Sequence, residues 1–173
     1  MPNLTPTEAA AIERCADAPM LDQVREWAAV NSGTRNLAGL EAVAGLLADS
    51  FSTLPGDVEL KAPTPVEAMG PDGRLAPVEH GANLHLKVRP DAPVQLLFTG
   101  HMDTVFGADH PFQQVFWRDE GKVLGGPGVA DMQSGLAIML AALQAVESVG
   151  VADLGYEVVI NSDEEVGSPG SAP

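Results

Sequence analysis

The sequence predicts an α/β domain built on a mostly parallel central sheet. Two apolar runs of strand length, residues 94–100 and 154–160, are each followed by acidic or imidazole side chains. A glycine-rich loop leading into an apolar helix lies between them, within residues 125–150. This order of strand, helix and strand is typical of α/β topology. In such sheets, ligands and catalytic groups gather beyond the carboxyl ends of the strands.

Composition limits the classes of protein to consider. The chain has 173 residues, 45% of them hydrophobic, which is enough for one domain with a substantial core. Nine basic residues against 24 acidic ones give a net charge of −15, which argues against a nucleic-acid or anionic-membrane partner. We find neither a secretion signal nor an apolar run approaching the roughly 18–20 residues of a membrane span, so we expect a cytoplasmic protein.

Three helices are predicted near the N-terminus. Thr5, Pro6 and Glu8 form the pattern of a capping box with proline in the first turn, and Asn36 is placed to cap a third helix. The second and third helices are predicted from apolar residues at helical spacing, which are Met20, Val24, Trp27 and Ala28, then Leu40, Val43, Ala44, Leu47 and Phe51.

Residues 62–124 are predicted to form strands joined by loops. Residues 62–77 are rich in proline and glycine and predict a loop. Leu84, Leu86 and Val88 alternate with polar residues, which predicts a half-exposed strand and places His85 on its polar face; His80 is expected to be solvated in a loop. The run at 94–100 predicts a central strand buried on both faces. Residues 114–124 predict a β-hairpin that turns at 119–121.

Acidic and imidazole side chains follow both predicted central strands. His101 and Asp103 follow the first strand, Asp131 lies near the start of the helix, and the second strand ends in Asp163, Glu164 and Glu165. Charged groups seldom lie beside an apolar core unless something compensates them. One imidazole with several carboxylates is suited to zinc, and less specifically to cobalt or manganese.

Geometry suggests a role for some of these residues. Asp103, two residues after His101, can accept a hydrogen bond from the second ring nitrogen and so orient the imidazole. Asp131 has two carboxylate oxygens and can bridge two metals. Glu164 and Glu165 can face one site only if the chain turns there, in which case one carboxylate would bind metal and the other would remain free as a base.

Other functions are weaker interpretations. A non-catalytic module that binds metal weakly or not at all is the main alternative. A nucleotide site at residues 125–128 does not fit, because Pro127 and the spacing break the GxGxxG pattern and an aspartate at the helix start would repel phosphate. The sequence has no G-x-S-x-G element, which argues against a serine hydrolase of the α/β type.

Three sequence blocks together closely resemble the signature blocks of the dizinc aminoacylase and carboxypeptidase family. These blocks are GHMDTVF, GPGVADMQSGLA and SDEEVGSPGS. The family includes glutamate carboxypeptidases, acetylornithine deacetylase and succinyl-diaminopimelate desuccinylase. The NSGTRN block at residues 31–36 also resembles an N-terminal block of the glutamate carboxypeptidase branch.

The resemblance implies a role for each matching residue. His101 would bind one zinc ion, Asp131 both ions and Glu165 the other. Glu164 would be the general base, Asp103 would orient His101, and the Asp131–Met132 peptide bond would be cis. The implied reaction is hydrolysis of an amide bond in a small peptide or N-acyl amino acid, in a three-layer zinc-exopeptidase fold.

The family's remaining metal ligands and its lid domain have no counterpart before Pro173. We therefore expect residues 1–173 to be the N-terminal portion of the catalytic domain, incomplete at its C-terminus and inactive alone. The resemblance also implies that the full-length enzyme dimerises through the lid domain.

Overall fold

The computed structural model describes residues 4–172. Its helices are α1 (Pro6–Ala16), α2 (Met20–Ala28), α3 (Leu37–Phe51) and α4 (Ser134–Ser148). Its strands are β1 (Asp57–Lys61), β2 (Val66–Met69), β3 (Leu75–Val78), β4 (Asn83–Val88), β5 (Val94–His101), β6 (Phe116–Arg118), β7 (Val123–Gly125) and β8 (Leu154–Asn161).

The N-terminal helices begin where the sequence predicts. The capping box of α1 is complete, since the Thr5 hydroxyl accepts from the Glu8 amide at 3.2 Å and the Glu8 carboxylate accepts from the Thr5 amide at 2.7 Å. The Asn36 side chain caps α3 by accepting from the Gly39 amide. The predicted apolar stripe of α3 is buried throughout, whereas α1 buries none of its residues.

One four-stranded sheet organises the fold, in the order β1-β4-β8-β5. β5 and β8 are parallel, and the β1–β4 and β4–β8 pairs are antiparallel, so the sheet is mixed. The predicted α/β class is confirmed. The parallel pair follows from the α4 crossover, because a connection of that length allows two strands to run in the same direction.

The two faces of this sheet differ. On the covered face, Leu84, Leu86 and Val88 of β4 lie opposite Ile160, Val158 and Tyr156 of β8. All six side chains are buried in one core with α2, α3 and α4. The open face presents the alternate residues of the same strands, which are His85, Lys87, Glu157 and Val159, all partly or fully exposed. The alternation predicted for residues 84–89 is therefore confirmed.

The interpretation of β5 as a central strand buried on both faces is wrong for the described residues. β5 is at the sheet edge and pairs only with β8. Val94, Leu96 and Leu97 are exposed. A mostly apolar strand is compatible with burial, but the neighbouring elements decide whether burial occurs.

Two hairpins lie outside the main sheet. The predicted hairpin at 114–124 is confirmed by the antiparallel pair β6–β7, which turns at Asp119–Gly121. The prediction of a loop over residues 62–77 is wrong, because β2 and β3 pair there as an antiparallel hairpin. Its strands are largely exposed, so no strong apolar alternation marks them in the sequence.

The segment Val129–Ser148 is long and apolar enough to cross a membrane by length and composition alone, since an 18-residue window within it has a mean hydropathy of 1.4. The sequence-based statement that no such run exists was therefore too strong. Leu136, Leu140 and Leu143 of this segment are buried in the core, as in the central helix of many α/β domains. Ile138 is 59% exposed, so α4 is not buried on all sides.

Candidate metal centre

The pairing of β5 with β8 brings the predicted site residues to one edge of the sheet. His101, the last residue of β5, lies opposite Asn161, the last residue of β8. The chain beyond each strand stays close to the other, as the Met102 amide donates to the Asn161 carbonyl at 2.8 Å. The residues that follow both strands therefore share the carboxyl edge, where α/β sheets place their sites.

His101, Asp131 and Glu165 form a three-residue cluster there. One potential ligand atom of each lies within 4.8 Å of the others. His101 Nε2 is 3.0 Å from Asp131 Oδ1 and 3.9 Å from Glu164 Oε2. One imidazole nitrogen and carboxylate oxygens at this spacing form a donor set suited to a divalent transition metal.

Asp103 is buried beside this cluster and contacts residues of several segments. Its Oδ1 is 3.3 Å from His101 Nδ1, and its backbone carbonyl is 3.1 Å from the same nitrogen. Both contacts favour a proton on Nδ1, which leaves Nε2 as the ligand atom. The Asp103 carboxylate also accepts from the Thr34 hydroxyl at 2.7 Å and from the amides of Glu164 and Glu165. It therefore connects three separate segments.

The close packing of charges changes the acidity of these groups in the metal-free chain. Burial alone would lower the pKa of His101, but hydrogen bonds to Asp103 and Asp131 outweigh it and raise the pKa to about 9. Burial tends to raise the pKa of Asp103, yet the His101, Thr34 and Glu165 hydrogen bonds lower it overall. Burial, with the nearby carboxylates, raises the pKa of Glu165.

A short irregular turn, Val129–Gln133, positions Asp131 ahead of α4. Asp131 has an extended backbone (φ −130°), and the Asp131–Met132 peptide bond is cis, as the resemblance implies. The Asp131 side chain is 78% exposed. The Met132 sulfur accepts from the His101 amide at 3.3 Å, so the two segments contact each other directly.

The chain turns where Glu164 and Glu165 must share a site. Glu164–Val166 forms a single 3₁₀ turn, closed by Gly167 in the left-handed region at φ +92°. Glu165 joins the ligand cluster, and Glu164 extends beside it with its side chain 53% exposed. The turn that Glu164 and Glu165 need in order to face one site is therefore present.

Asp163 lies apart from the ligand cluster. It is fully buried and accepts from the Ser171 hydroxyl at 2.7 Å and from the Gly170 amide. His80 Nδ1 is 3.3 Å from Asp163 Oδ2, and both side chains are 1% exposed. The expectation that His80 is solvated is therefore wrong, because its loop folds over the end of β8.

Sequence reasoning about the metal site missed Thr34. Its hydroxyl supports Asp103, and its segment pairs with the chain beyond β5 through the Gly33–Thr104 bridge. Gly33 is needed there, since a Cβ atom would lie 2.4 Å from the Phe106 carbonyl oxygen. The NSGTRN block contains both residues and was the signal that could have identified them.

Comparisons with known proteins agree with this geometry. Residues 97–173 match peptidase family M20/M25/M40. The chain is similar to carboxypeptidase G2 of Pseudomonas sp. strain RS-16, at 40% identity over 96 residues, which cover 53% of this chain and 22% of that protein. Its fold is similar to that of the di-peptidase Dug1p of Saccharomyces cerevisiae (TM-score 0.73, 12% identity, 92% of this chain and 35% of that one). Human carnosine dipeptidase 1 is also similar in fold (TM-score 0.69, 19% identity, 98% and 37%).

The chain thus spans well under half the length of these relatives. The matched segment nevertheless includes β5 from Leu97 onward, α4, β8 and all three residues of the ligand cluster. Residues 97–173, which carry the ligand cluster, are therefore similar to part of peptidase family M20/M25/M40.

Proposed function

We propose that this chain supplies the metal-binding part of a zinc metallopeptidase that cleaves an amide bond in a small peptide or N-acyl amino acid. The observation that carries the proposal is the convergence of His101, Asp131 and Glu165 at the carboxyl edge of the parallel strand pair. The match of residues 97–173 to a peptidase family and the similarity to a carboxypeptidase support the reaction class.

The residues have distinct ligand roles in this proposal. His101 would bind one zinc ion, Glu165 the other, and Asp131 both, because the exposed Asp131 carboxylate has Oδ1 3.0 Å from His101 Nε2 and lies in the same ligand cluster as Glu165. Cobalt or manganese could replace zinc with this donor set. When bound, the metal would polarise the scissile carbonyl and lower the pKa of water.

Glu164 is the proposed general base and proton shuttle. It is the carboxylate of the turn that remains outside the ligand cluster, yet its Oε2 lies 3.9 Å from His101 Nε2. Such a group can take a proton from the attacking water and return it to the leaving amine. Asp103 acts indirectly, by holding the His101 ring in the orientation that aims Nε2 at the site.

Four further assignments remain predictions. They are that residues 1–173 form the N-terminal portion of the catalytic domain, that the full-length enzyme is a homodimer, that the protein is cytoplasmic, and that it has no nucleic-acid or membrane partner.

The test is zinc-dependent hydrolysis of N-acetyl amino acids by the complete gene product. Glu164→Gln removes the base but retains its shape, so we expect kcat to fall by about 100-fold or more while bound zinc is unchanged. Glu67→Gln, at an exposed carboxylate in β2, is the matched control. Equal activity of Glu164→Gln and wild type would contradict the assignment of the base, and the absence of zinc-dependent hydrolysis would contradict the proposed function.

A further inference from the structure

A second buried pair of histidine and aspartate, His80 with Asp163, takes no part in the chemistry proposed above. Both side chains are 1% exposed, and His80 Nδ1 lies 3.3 Å from Asp163 Oδ2. The pair resembles that of His101 with Asp103, in which the aspartate orients a proposed metal ligand. His80 is outside the ligand cluster, however. It can therefore influence the site only through Asp163 and the turn that follows it.

The turn that carries the proposed ligand and base has no apolar contact of its own to position it. The 3₁₀ turn Glu164–Val166 contains no buried residue, and Val166 is 44% exposed. None of residues 164–169 is buried, and the first buried residue after them is Gly170. Since few buried apolar contacts leave a segment free to open locally, the position of this turn depends on its hydrogen bonds.

Two buried carboxylates accept those hydrogen bonds. Asp103 binds the start of the turn by accepting from the amides of Glu164 and Glu165, at 3.1 and 3.3 Å. Asp163 accepts three hydrogen bonds from the chain that returns after the turn. Their donors are the Ser168 amide, at 2.8 Å from the Asp163 carbonyl oxygen, and the Gly170 amide and the Ser171 hydroxyl, which bind its carboxylate. Asp163 therefore joins the two ends of the segment that carries both glutamates.

His80 contacts the Asp163 carboxylate from the loop between β3 and β4. Arginine cannot accept a hydrogen bond, so the contact of Arg35 Nη1 with His80 Nε2 at 3.5 Å favours the tautomer whose proton is on Nδ1, facing Asp163. Nδ1 and Oδ2 are close but not aligned as a hydrogen bond, so the contact is a charge–dipole attraction. The same loop is attached to the end of β8, because the Ser162 hydroxyl donates to the Gly81 carbonyl at 2.7 Å.

We propose that His80 and Asp163 form an anchor that positions the turn Glu164–Val166 for metal binding. The inference rests on the proposed peptidase function and deepens it, since it assigns a role to two residues outside the ligand cluster. His80 compensates the buried carboxylate, which is costly to bury without polar partners. Asp163 in turn holds the returning chain, and the turn presents Glu165 to the metal. His80 is thus a positioning residue.

The test measures cobalt(II) binding to the full chain, because cobalt can replace zinc with this donor set and its visible absorption reports the ligand geometry. His80→Leu replaces the ring with an apolar side chain of similar size. We expect it to weaken cobalt binding by about tenfold or more, as is typical when a group that orients metal ligands is removed. His80→Gln should restore most of the affinity, because its amide N–H can donate to Asp163. His85→Leu, at a partly buried histidine on the open face, is the matched control and should bind cobalt as wild type does.

A double-mutant cycle separates positioning from a general loss of structure. If His80 acts through Asp163, His80→Leu should weaken cobalt binding much less in an Asp163→Asn background, because a neutral amide needs less compensation. In the metal-free chain, His80→Leu should also shift the backbone amide NMR signals of Glu164 and Glu165. Ser171→Ala removes another donor to the same carboxylate at a partly buried position, and should weaken cobalt binding and shift these signals too. The unfolding temperature is measured on every variant.

The inference is overturned if His80→Leu retains wild-type cobalt affinity and unshifted Glu164 and Glu165 amides; if His80→Leu does not fold, the same result in Ser171→Ala overturns it. Equal weakening by His80→Leu in the wild-type and Asp163→Asn backgrounds would also overturn it, because His80 would then act by another route. A wild-type chain that does not bind cobalt would contradict the proposed function instead. The amide signals of the metal-free chain would still report whether His80 and Asp163 hold the turn.

Discussion

The covered and open faces of the central sheet are built from the same strands but differ in what holds them. Val158 faces the core and is fully buried, whereas its neighbour Val159 lies on the open face and is only partly buried. β5 extends the contrast, since it contributes little to the core and leaves Leu97 66% exposed. Residue type alone therefore does not set burial here; the positions of α2, α3 and α4 do.

The largest difference in the free energy of unfolding is expected when the same valine-to-alanine substitution is made on each face of the sheet. Val158→Ala should lower the free energy of unfolding by roughly 2–3 kcal/mol, because it removes two buried carbons and leaves a cavity. Val159→Ala should cost less than about 1 kcal/mol. Urea unfolding of both variants checks this, and equal losses would show that the open face is covered in solution.

Two glycines of α3, Gly39 and Gly45, offer a second pair of matched substitutions. A Cβ atom on Gly39 would lie 1.8 Å from the Asn31 carbonyl oxygen, whereas one on Gly45 meets nothing within 4 Å. Gly39→Ala should therefore destabilise the chain by about 1–3 kcal/mol, and Gly45→Ala should stabilise it by about 0.5–1 kcal/mol. Thermal unfolding measures both, and a tolerated Gly39→Ala would contradict the close contact between α3 and the NSGTRN segment.

The ionisable groups at the carboxyl edge of the sheet should make the stability of the metal-free chain depend on pH. His101 has a raised pKa of about 9 in the folded chain, against an ordinary value of 6.5. The stabilisation from its protonated form is then complete below pH 6.5 and is lost as pH rises through about 9. Chelator-treated wild type should lose stability over this window, and His101→Gln should lack that loss. A parallel pH dependence in the two proteins would exclude His101 as its source.

The smallest effect is expected on the open side of β5. Leu97→Ser should change the free energy of unfolding by less than about 0.5 kcal/mol, since the side chain is mostly exposed already. Removing an apolar side chain from a sheet edge should also reduce self-association, which sedimentation can measure. A large loss of stability would place Leu97 in an interface.

Local chemistry made much of this fold predictable. The Thr5 and Asn36 caps, the apolar stripe of α3 and the alternation of β4 depend on near neighbours and were read correctly. The exposed β2–β3 hairpin lacks a core-facing pattern and was missed. The edge position of β5 depends on which elements pack beside it, which its own residues do not encode.

The candidate site was predictable to a similar degree. The chain brings His101, Asp131 and Glu165 together as expected, because parallel strands end at one edge. Asp163 looked equivalent to its two neighbours in sequence, yet the 3₁₀ turn after it directs the chain elsewhere and leaves Asp163 with His80. Such a partnership across 83 residues has no local signature.

The most direct test of the account is zinc binding by the chain, measured by calorimetry. Asp131→Ala removes the proposed bridging ligand, whereas Asp153→Ala removes an exposed carboxylate before β8. Zinc affinity should fall at least about tenfold in Asp131→Ala and should be unchanged in Asp153→Ala. The same zinc affinity in wild type and both variants would contradict a metal centre at this edge of the sheet.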